Sequence, residues 1–341
     1  MNSLFRTRTT SFIRPQPIFR RFQSTATDAL RRSYLYVPAS TDRMLDKSLT
    51  NNSDMLIYDL EDSVPPSRHD KESARQRLAT FLSTTSKDKL PHPNRVAVRV
   101  NDLSTPFFQG DIAELLRLPA ISTVILPKIH SAQDLHHVSR ALSFAREGTS
   151  EPLRIVASIE SARAAWNLGE ISGWQSEYGS ERGGQLDSLL FASEDYCADT
   201  SVIRTTSRQE LLFVRSQIVV AAKAHRLGAI DMVCINYKDI DYLKDECEDG
   251  RKLGFTGKQA IHPTQVDIIQ STFVPTAKDI LRAAKILHQM DISHSNQKGA
   301  FGLDMEGGGR EMIDAPMLKQ AESTIRLAKA AGLDIPDVSS Q

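Results

Sequence analysis

Two acidic residues stand where a metal-assisted reaction would need them. Glu160 follows the apolar run 155–159 (IVASI), and Asp195 follows 189–192 (LLFA) after Ser193 and Glu194. Both runs have the length and aliphatic character of short strands, so two neighbouring strands deliver carboxylates to one place. Like charges brought together repel and raise one another's pKa unless a cation lies between them. One or two carboxylates completed by water and substrate oxygens are the ordinary surroundings of Mg²⁺. Zinc is a poorer match, because His262 is the one imidazole at such a strand end and its neighbours are hard oxygen donors. A lone carboxylate after a strand is more often a helix N-cap or a surface ion-pair partner, so the pair carries the reading.

The other strand ends are as polar. They carry Tyr36, Asp59 with Glu61 and Asp62, Arg99 with Asn101, Lys128 and Asn236. Arg99 lies inside the run Val96, Val98, Val100, and alternation places it on the face of Ala97 and Asn101. A buried arginine needs a partner. Two readings stay open: a structural ion pair with Asp59 or Glu61, or a donor fork for a carboxylate or enolate oxygen. Arg43 and Lys47 are one helical turn apart and suit a phosphate or carboxylate group, although such a pair on a helix is commonly just solvated.

These residues need a scaffold that gathers strand ends. From residue 32 onward one pattern recurs: a short apolar run, then a longer stretch with apolar residues at helical spacing. The eight runs are 33–37 (SYLYV), 55–60 (MLIYDL), 96–100 (VAVRV), 123–126 (TVIL), 154–159 (RIVASI), 188–192 (SLLFA), 230–235 (IDMVCI) and the weaker 254–261 (GFTGKQAI). Eight alternating units predict a (β/α)₈ TIM barrel over residues 32–275, with its chemistry at the C-terminal strand ends. An open doubly wound sheet would be expected to show a glycine-rich turn after its first strand, whereas here Val37 is followed by Pro38, Ala39 and Ser40. Residues 276–335 exceed what the barrel needs and are expected to form a C-terminal helical extension.

Lys+Arg and Asp+Glu both total 42, which leaves no whole-molecule field to gather nucleic acid or an anionic membrane, and neither is expected as a partner. Cys197, Cys234 and Cys247 form no CxxC pair, which fits a reducing compartment and excludes a disulfide framework. No apolar run approaches the roughly 20 residues of a membrane span. Residues 1–27 carry five arginines with several Ser and Thr and no acid, the composition of a mitochondrial transit peptide, so a matrix location is expected.

In order along the chain, LYVPAS, YDLEDSV, VRVN, LPK, SIESA, FASEDYCAD, GFTGKQAIHP and MIDAP resemble the citrate lyase β-subunit-like branch of the HpcH/HpaI aldolase family, over residues 32–330. The resemblance implies a homotrimeric barrel that holds Mg²⁺ and an acyl-CoA in its mouth and breaks a carbon–carbon bond. The favoured reaction is cleavage of citramalyl-CoA to acetyl-CoA and pyruvate. Malyl-CoA cleavage, a malate-synthase-like condensation, a non-catalytic CoA-ester binder and a subunit of a citrate lyase complex are the alternatives. The resemblance further implies that Glu160 and Asp195 are metal ligands, Glu160 also lying against the substrate, and that Arg99 contacts the reacting acid or thioester. Tyr36, Arg43 and Lys47 would touch substrate and CoA, Ile235 and Asn236 would offer a backbone contact, and Asp314 would be the acid/base brought by an adjacent subunit. Three departures stand out: FASED in place of a glycine-containing FGxED, Arg43 where lysine is common, and a longer stretch from Leu303 to Glu311 before Asp314.

Overall fold

The computed structural model describes residues 30–146, 151–295, 301–304 and 310–338. The expected transit segment and the Gly307 to Gly309 run lie outside them. Strand β1 (Ser33–Pro38) is followed by helix α1 (Asp42–Ser48), β2 (Met55–Asp59) by α2 (Arg68–Thr84), β3 (Val96–Arg99) by α3 (Phe108–Leu115), and β4 (Thr123–Leu126) by α4 (Ala132–Ala145). After β5 (Arg154–Ile159) come three short helices, α5 (Ala162–Trp166), α6 (Leu168–Ser172) and α7 (Gly179–Gly183). Then follow β6 (Gln185–Phe191), α8 (Ser193–Thr200), α9 (Leu212–Ala224), β7 (Gly228–Asp231), α10 (Ile240–Leu253), β8 (Gly257–Ala260) and α11 (Val266–Thr272). Each strand pairs in parallel with the next, and β8 returns to β1, so the sheet is a closed eight-stranded barrel. The helices start where their sequences cap them: Ser131 and Asp134 form a capping box at α4, and Asp239 accepts the Tyr242 N–H at α10.

The period of two along each strand sorts the side chains. One set, Tyr34, Met55, Ile57, Ala97, Ile125, Val156, Leu190 and Ile230, packs together inside the barrel. The alternate set, including Leu35, Leu56, Val98, Val124, Ile155 and Leu189, packs against the helices with Leu78, Ile112, Leu135, Leu142 and Ile218. Two residues beyond the inner apolar layer the inward positions become polar: Ile57 leads to Asp59, Ala97 to Arg99, and Val156 through Ser158 to Glu160. The barrel therefore has an apolar floor and a charged mouth.

The seventh strand differs from the expected 230–235. It begins at Gly228 and ends at Asp231. Beyond Asp231 the carbonyls are taken by side chains instead of a neighbouring strand. Lys258 Nζ donates to Met232 O at 2.8 Å, Arg204 Nη2 to Val233 O at 3.0 Å, and Gln265 Nε2 to Cys234 O at 2.9 Å. Ile235 thus lies in the loop after the strand. The eighth strand, Gly257–Ala260, is weak in the sequence because Lys258 and Gln259 are polar yet buried. Lys258 pairs with Glu246 at 2.9 Å, and Gln259 Nε2 donates to Phe191 O and Asp231 O.

Beyond the barrel, α12 (Ala277–Ser295), an antiparallel pair β9 (Phe301–Asp304) and β10 (Arg310–Ile313), and α13 (Ala315–Ala330) follow. The strand pair is an addition to the helices expected there. Helices α12 and α13 share a small core of their own with Ile280, Ile286, Ile313, Ala321, Ile325 and Val338. Ser323, Arg326 and Leu327 of α13 line a cavity together with Tyr34, Asn94, Leu186 and Gly228, at or near the N-terminal ends of barrel strands. Part of α13 thus borders a cavity at the end of the barrel opposite the mouth. No described helix is long and apolar enough to cross a membrane.

Candidate active site

Glu160 is carried one residue past β5 and is buried, while Asp195 sits in the first turn of α8 and reaches solvent. Burial, and after it the charge of Asp195, pushes the Glu160 carboxyl up to about 8. Asp195 is raised too, first by burial of its carboxyl and then by Asp62. One fixed donor serves Glu160: the Lys128 backbone N–H reaches its Oε1 at 2.7 Å. Lys128 holds φ at +53°, in the left-handed region, which turns that N–H toward the mouth. Glu61, on the loop after β2, is raised to about 7, by burial first and with Asp62 and Asp59 adding to it against Arg99.

Arg99 is ion-paired on every side in the ligand-free mouth. Its Nε and Nη2 donate to the two oxygens of Asp59 at 2.6 and 2.7 Å, a fork-on-fork pair. Nη1 lies 2.9 Å from Glu61 and donates to Asp62 at 3.0 Å. Burial alone would raise Asp59, but the guanidinium outweighs it and holds the carboxyl below its ordinary value. Arg99 also stacks over the Tyr36 ring at 4.7 Å, and Tyr36 OH donates to Gln259 Oε1 at 3.0 Å. Burial drives the Tyr36 phenol upward, keeping it neutral.

Tyr36, Arg99 and Glu160 are thus brought together with Asp59, Glu61, Asp62 and Lys128, and Asp195 acts on Glu160 from the end of the neighbouring strand. Arg43 and Lys47 lie on the exposed face of α1, and Ile235 and Asn236 are exposed after β7. Asn236 O accepts the Asp239 N–H at 3.2 Å. Asp314 does not join this group within one chain: it is exposed, caps α13 and accepts the Met317 N–H at 3.2 Å. His262 is spent locally, its Nδ1 2.8 Å from Thr264 Oγ1 and its ring stacked on Tyr237. Asn101 is held by Asp111.

Among the described residues no group of three or more His, Cys, Asp or Glu side chains is gathered closely enough to hold a metal by itself. The buried Glu160, raised by a facing carboxylate and given a single N–H, nonetheless fits a hard divalent cation that takes its remaining oxygens from water and substrate. Sequence reasoning missed Arg204, which donates to Ser193 Oγ, Glu194, Val233 O and Glu246 and ties the Asp195 helix to the loop after β7. Its partners are up to 42 residues away, and no local pattern marks it.

A parallel barrel with carboxylates, an arginine and a lysine at its mouth defines the class: a (β/α)₈ enzyme with its polar groups gathered at the C-terminal strand ends. The HpcH/HpaI aldolase/citrate lyase family matches residues 32–263, and the chain belongs to that family of lyases. It is 32% identical over 301 residues to human mitochondrial citramalyl-CoA lyase, covering 87% of this chain and 85% of that protein. It is 30% identical over 306 residues to citrate lyase subunit beta of Leuconostoc mesenteroides, covering 89% and 95%. Among solved structures, protein CitE from Mycobacterium tuberculosis in complex with magnesium, acetoacetate and coenzyme A superposes with a TM-score of 0.67 at 27% identity, covering 89% of this chain and 99% of that one.

Proposed function

We propose that the chain is a Mg²⁺-dependent lyase that cleaves citramalyl-CoA into acetyl-CoA and pyruvate in the mitochondrion. The observation that carries this reading is the buried Glu160 facing Asp195 beside Arg99, in a mouth where acidic groups outnumber the cations that offset them. The names of the human and Leuconostoc relatives support a CoA-linked or citrate-type acid as substrate, and the magnesium in the M. tuberculosis complex supports the metal.

Glu160 and Asp195 would hold the metal. When bound there, Mg²⁺ supplies Lewis acidity to the hydroxyl and carboxylate oxygens of the acid portion. Loss of the hydroxyl proton to solvent turns the C–OH into the carbonyl of pyruvate as the carbon–carbon bond breaks, and the bonding pair moves negative charge onto the thioester oxygen. Arg99 faces that charge with Nη1, since Asp59 holds Nε and Nη2; Glu61 and Asp62 share Nη1 in the ligand-free mouth, and Asp62, whose side chain is 67% exposed, is the one that yields. Tyr36, fixed beneath the guanidinium, keeps it in plane. Asp314 protonates the enolate carbon, or removes that proton in the reverse direction. It does so from a neighbouring subunit of a homotrimer, because α13 of its own extension borders a cavity at the far end of its own barrel. Apolar surface at Trp166, Ile203 and Phe213, which are 90%, 82% and 72% exposed on or beside α5, α8 and α9, supports a subunit contact near the Asp195 loop. Arg43 and Lys47 receive the phosphates of CoA, with the backbone at Ile235 and Asn236 two strands away around the same side of the mouth.

Purified protein given citramalyl-CoA and Mg²⁺ is expected to release acetyl-CoA, and EDTA is expected to stop it. Intact CoA-ester binding without release would refute the enzyme reading.

A further inference from the structure

The mouth holds a second cation that the reaction outlined above does not use. Lys128 is the second residue of the loop after β4 and holds φ at +53°, a conformation that glycine adopts freely and that costs a lysine strain. The strained turn has one evident backbone purpose, the N–H to Glu160 Oε1 at 2.7 Å. Glycine would serve that purpose without strain, so the backbone geometry alone does not account for a lysine. Its side chain is 45% exposed at the mouth, and its one ion pair among the described residues, to Glu61 Oε1, is long at 3.7 Å. Arg99 is in the opposite condition, with Nε, Nη1 and Nη2 all engaged by Asp59, Glu61 and Asp62 at 2.6 to 3.0 Å. An incoming anion therefore meets a committed guanidinium and an ammonium with capacity to spare.

We infer that the Lys128 ammonium is a substrate-binding group, taking the carboxylate of the 2-oxo acid portion at the side of the mouth next to Glu160. This rests on the lyase reading above. An ammonium with three donors and a flexible stem can turn from Glu61 to the substrate carboxylate without disturbing the backbone N–H that orients Glu160. Glu61 is then the resting partner that keeps the lysine parked over the mouth.

Lys128→Gly separates the side chain from the turn, because it keeps the N–H and relieves the strained φ. In the Mg²⁺-loaded full chain it is expected to lower kcat/KM for citramalyl-CoA by about tenfold or more and to weaken pyruvate binding, followed by NMR, by a similar factor. Mg²⁺ affinity by calorimetry is expected to stay within about twofold of wild type, and the melting temperature to hold or rise. Lys128→Arg is expected to recover part of the loss. Pyruvate binding and kcat/KM at wild-type levels in Lys128→Gly would overturn the inference, as would a parallel loss of Mg²⁺ affinity, which would make the turn and not the ammonium responsible. Wild-type protein that binds pyruvate through Lys128 without cleaving citramalyl-CoA would refute the lyase reading and leave this inference standing. Wild-type protein that binds no pyruvate would refute the inference outright.

Discussion

Replacing Glu160 by Gln is expected to stabilise the metal-free chain at alkaline pH. The amide oxygen can still accept the Lys128 N–H, so the substitution removes a charge and little else. In the wild-type chain burial, and next the charge of Asp195, holds the carboxyl up to about 8, against an ordinary 4.5. Between those values the folded state keeps a proton that the unfolded chain has released. Stability is therefore fully present below about pH 4.5 and falls as pH rises toward 8. At about 1.4 kcal/mol per pH unit the ceiling is roughly 5 kcal/mol, and solvent at the open mouth reduces it to about half. The part expressed between pH 6 and pH 8 is about 1 to 2 kcal/mol, or roughly 2 to 5 °C in a chain of this size. Thermal unfolding in EDTA at both pH values reads it directly. Wild type is expected to lose that amount from pH 6 to pH 8, and Glu160→Gln to lose less and to be the more stable of the two at pH 8. Saturating Mg²⁺ is expected to reverse the order, since only wild type gains from binding. Equal pH slopes in EDTA, or a less stable variant at pH 8, would refute the argument that a buried, like-charge pair waits for a cation.

Two other perturbations test different parts of the molecule. Asp314→Asn is expected to abolish acetyl-CoA release while Mg²⁺ affinity, measured by calorimetry, stays at the wild-type value; normal turnover would remove Asp314 from the reaction. Arg215→Met leaves Asp231 buried without its 2.7 Å partner and is expected to cost about 3 to 5 kcal/mol in urea unfolding, with a loss under about 1 kcal/mol contradicting the burial of that pair.

The barrel was legible where strands are sorted by simple alternation. Residues 123–126 and 154–159 coincide with β4 and β5, because Ile125 and Val156 face the inner layer while Val124 and Ile155 face the helices. Legibility failed where side chains from distant positions decide where a strand stops. Nothing local to Met232 or Val233 says that Lys258 and Arg204 will take their carbonyls, so the apolar run to Ile235 looked like strand. The same holds for Arg99: its burial demanded partners, and Asp59 and Glu61 were the right candidates, but that both would engage it, with Asp62 as a third, follows only from the folded geometry. Lys128 was visible as a strand-end residue, whereas its left-handed backbone was not, since that conformation is set by the carboxylate it serves.

The buried charges behind the mouth follow from the same demand for fixed loops. Asp195 sits on α8, and Ile235 and Asn236 follow β7, so the proposed site needs both loops to hold their shape. Arg204 binds Glu194 on the first and Val233 O on the second, and Glu246, fully buried, joins Arg204 at 2.6 Å to Lys258 at 2.9 Å. Burial opposes the charge on Glu246, yet the two cations hold its carboxyl below the ordinary range. Apolar residues of similar volume would fill that space at equal or lower cost. They could not also donate to the carbonyls of Met232 and Val233, and the buried Met232 carbonyl would be left without a partner. The ionic network is thus the arrangement that lets a strand end early, turn its backbone toward the mouth and still leave its polar groups satisfied.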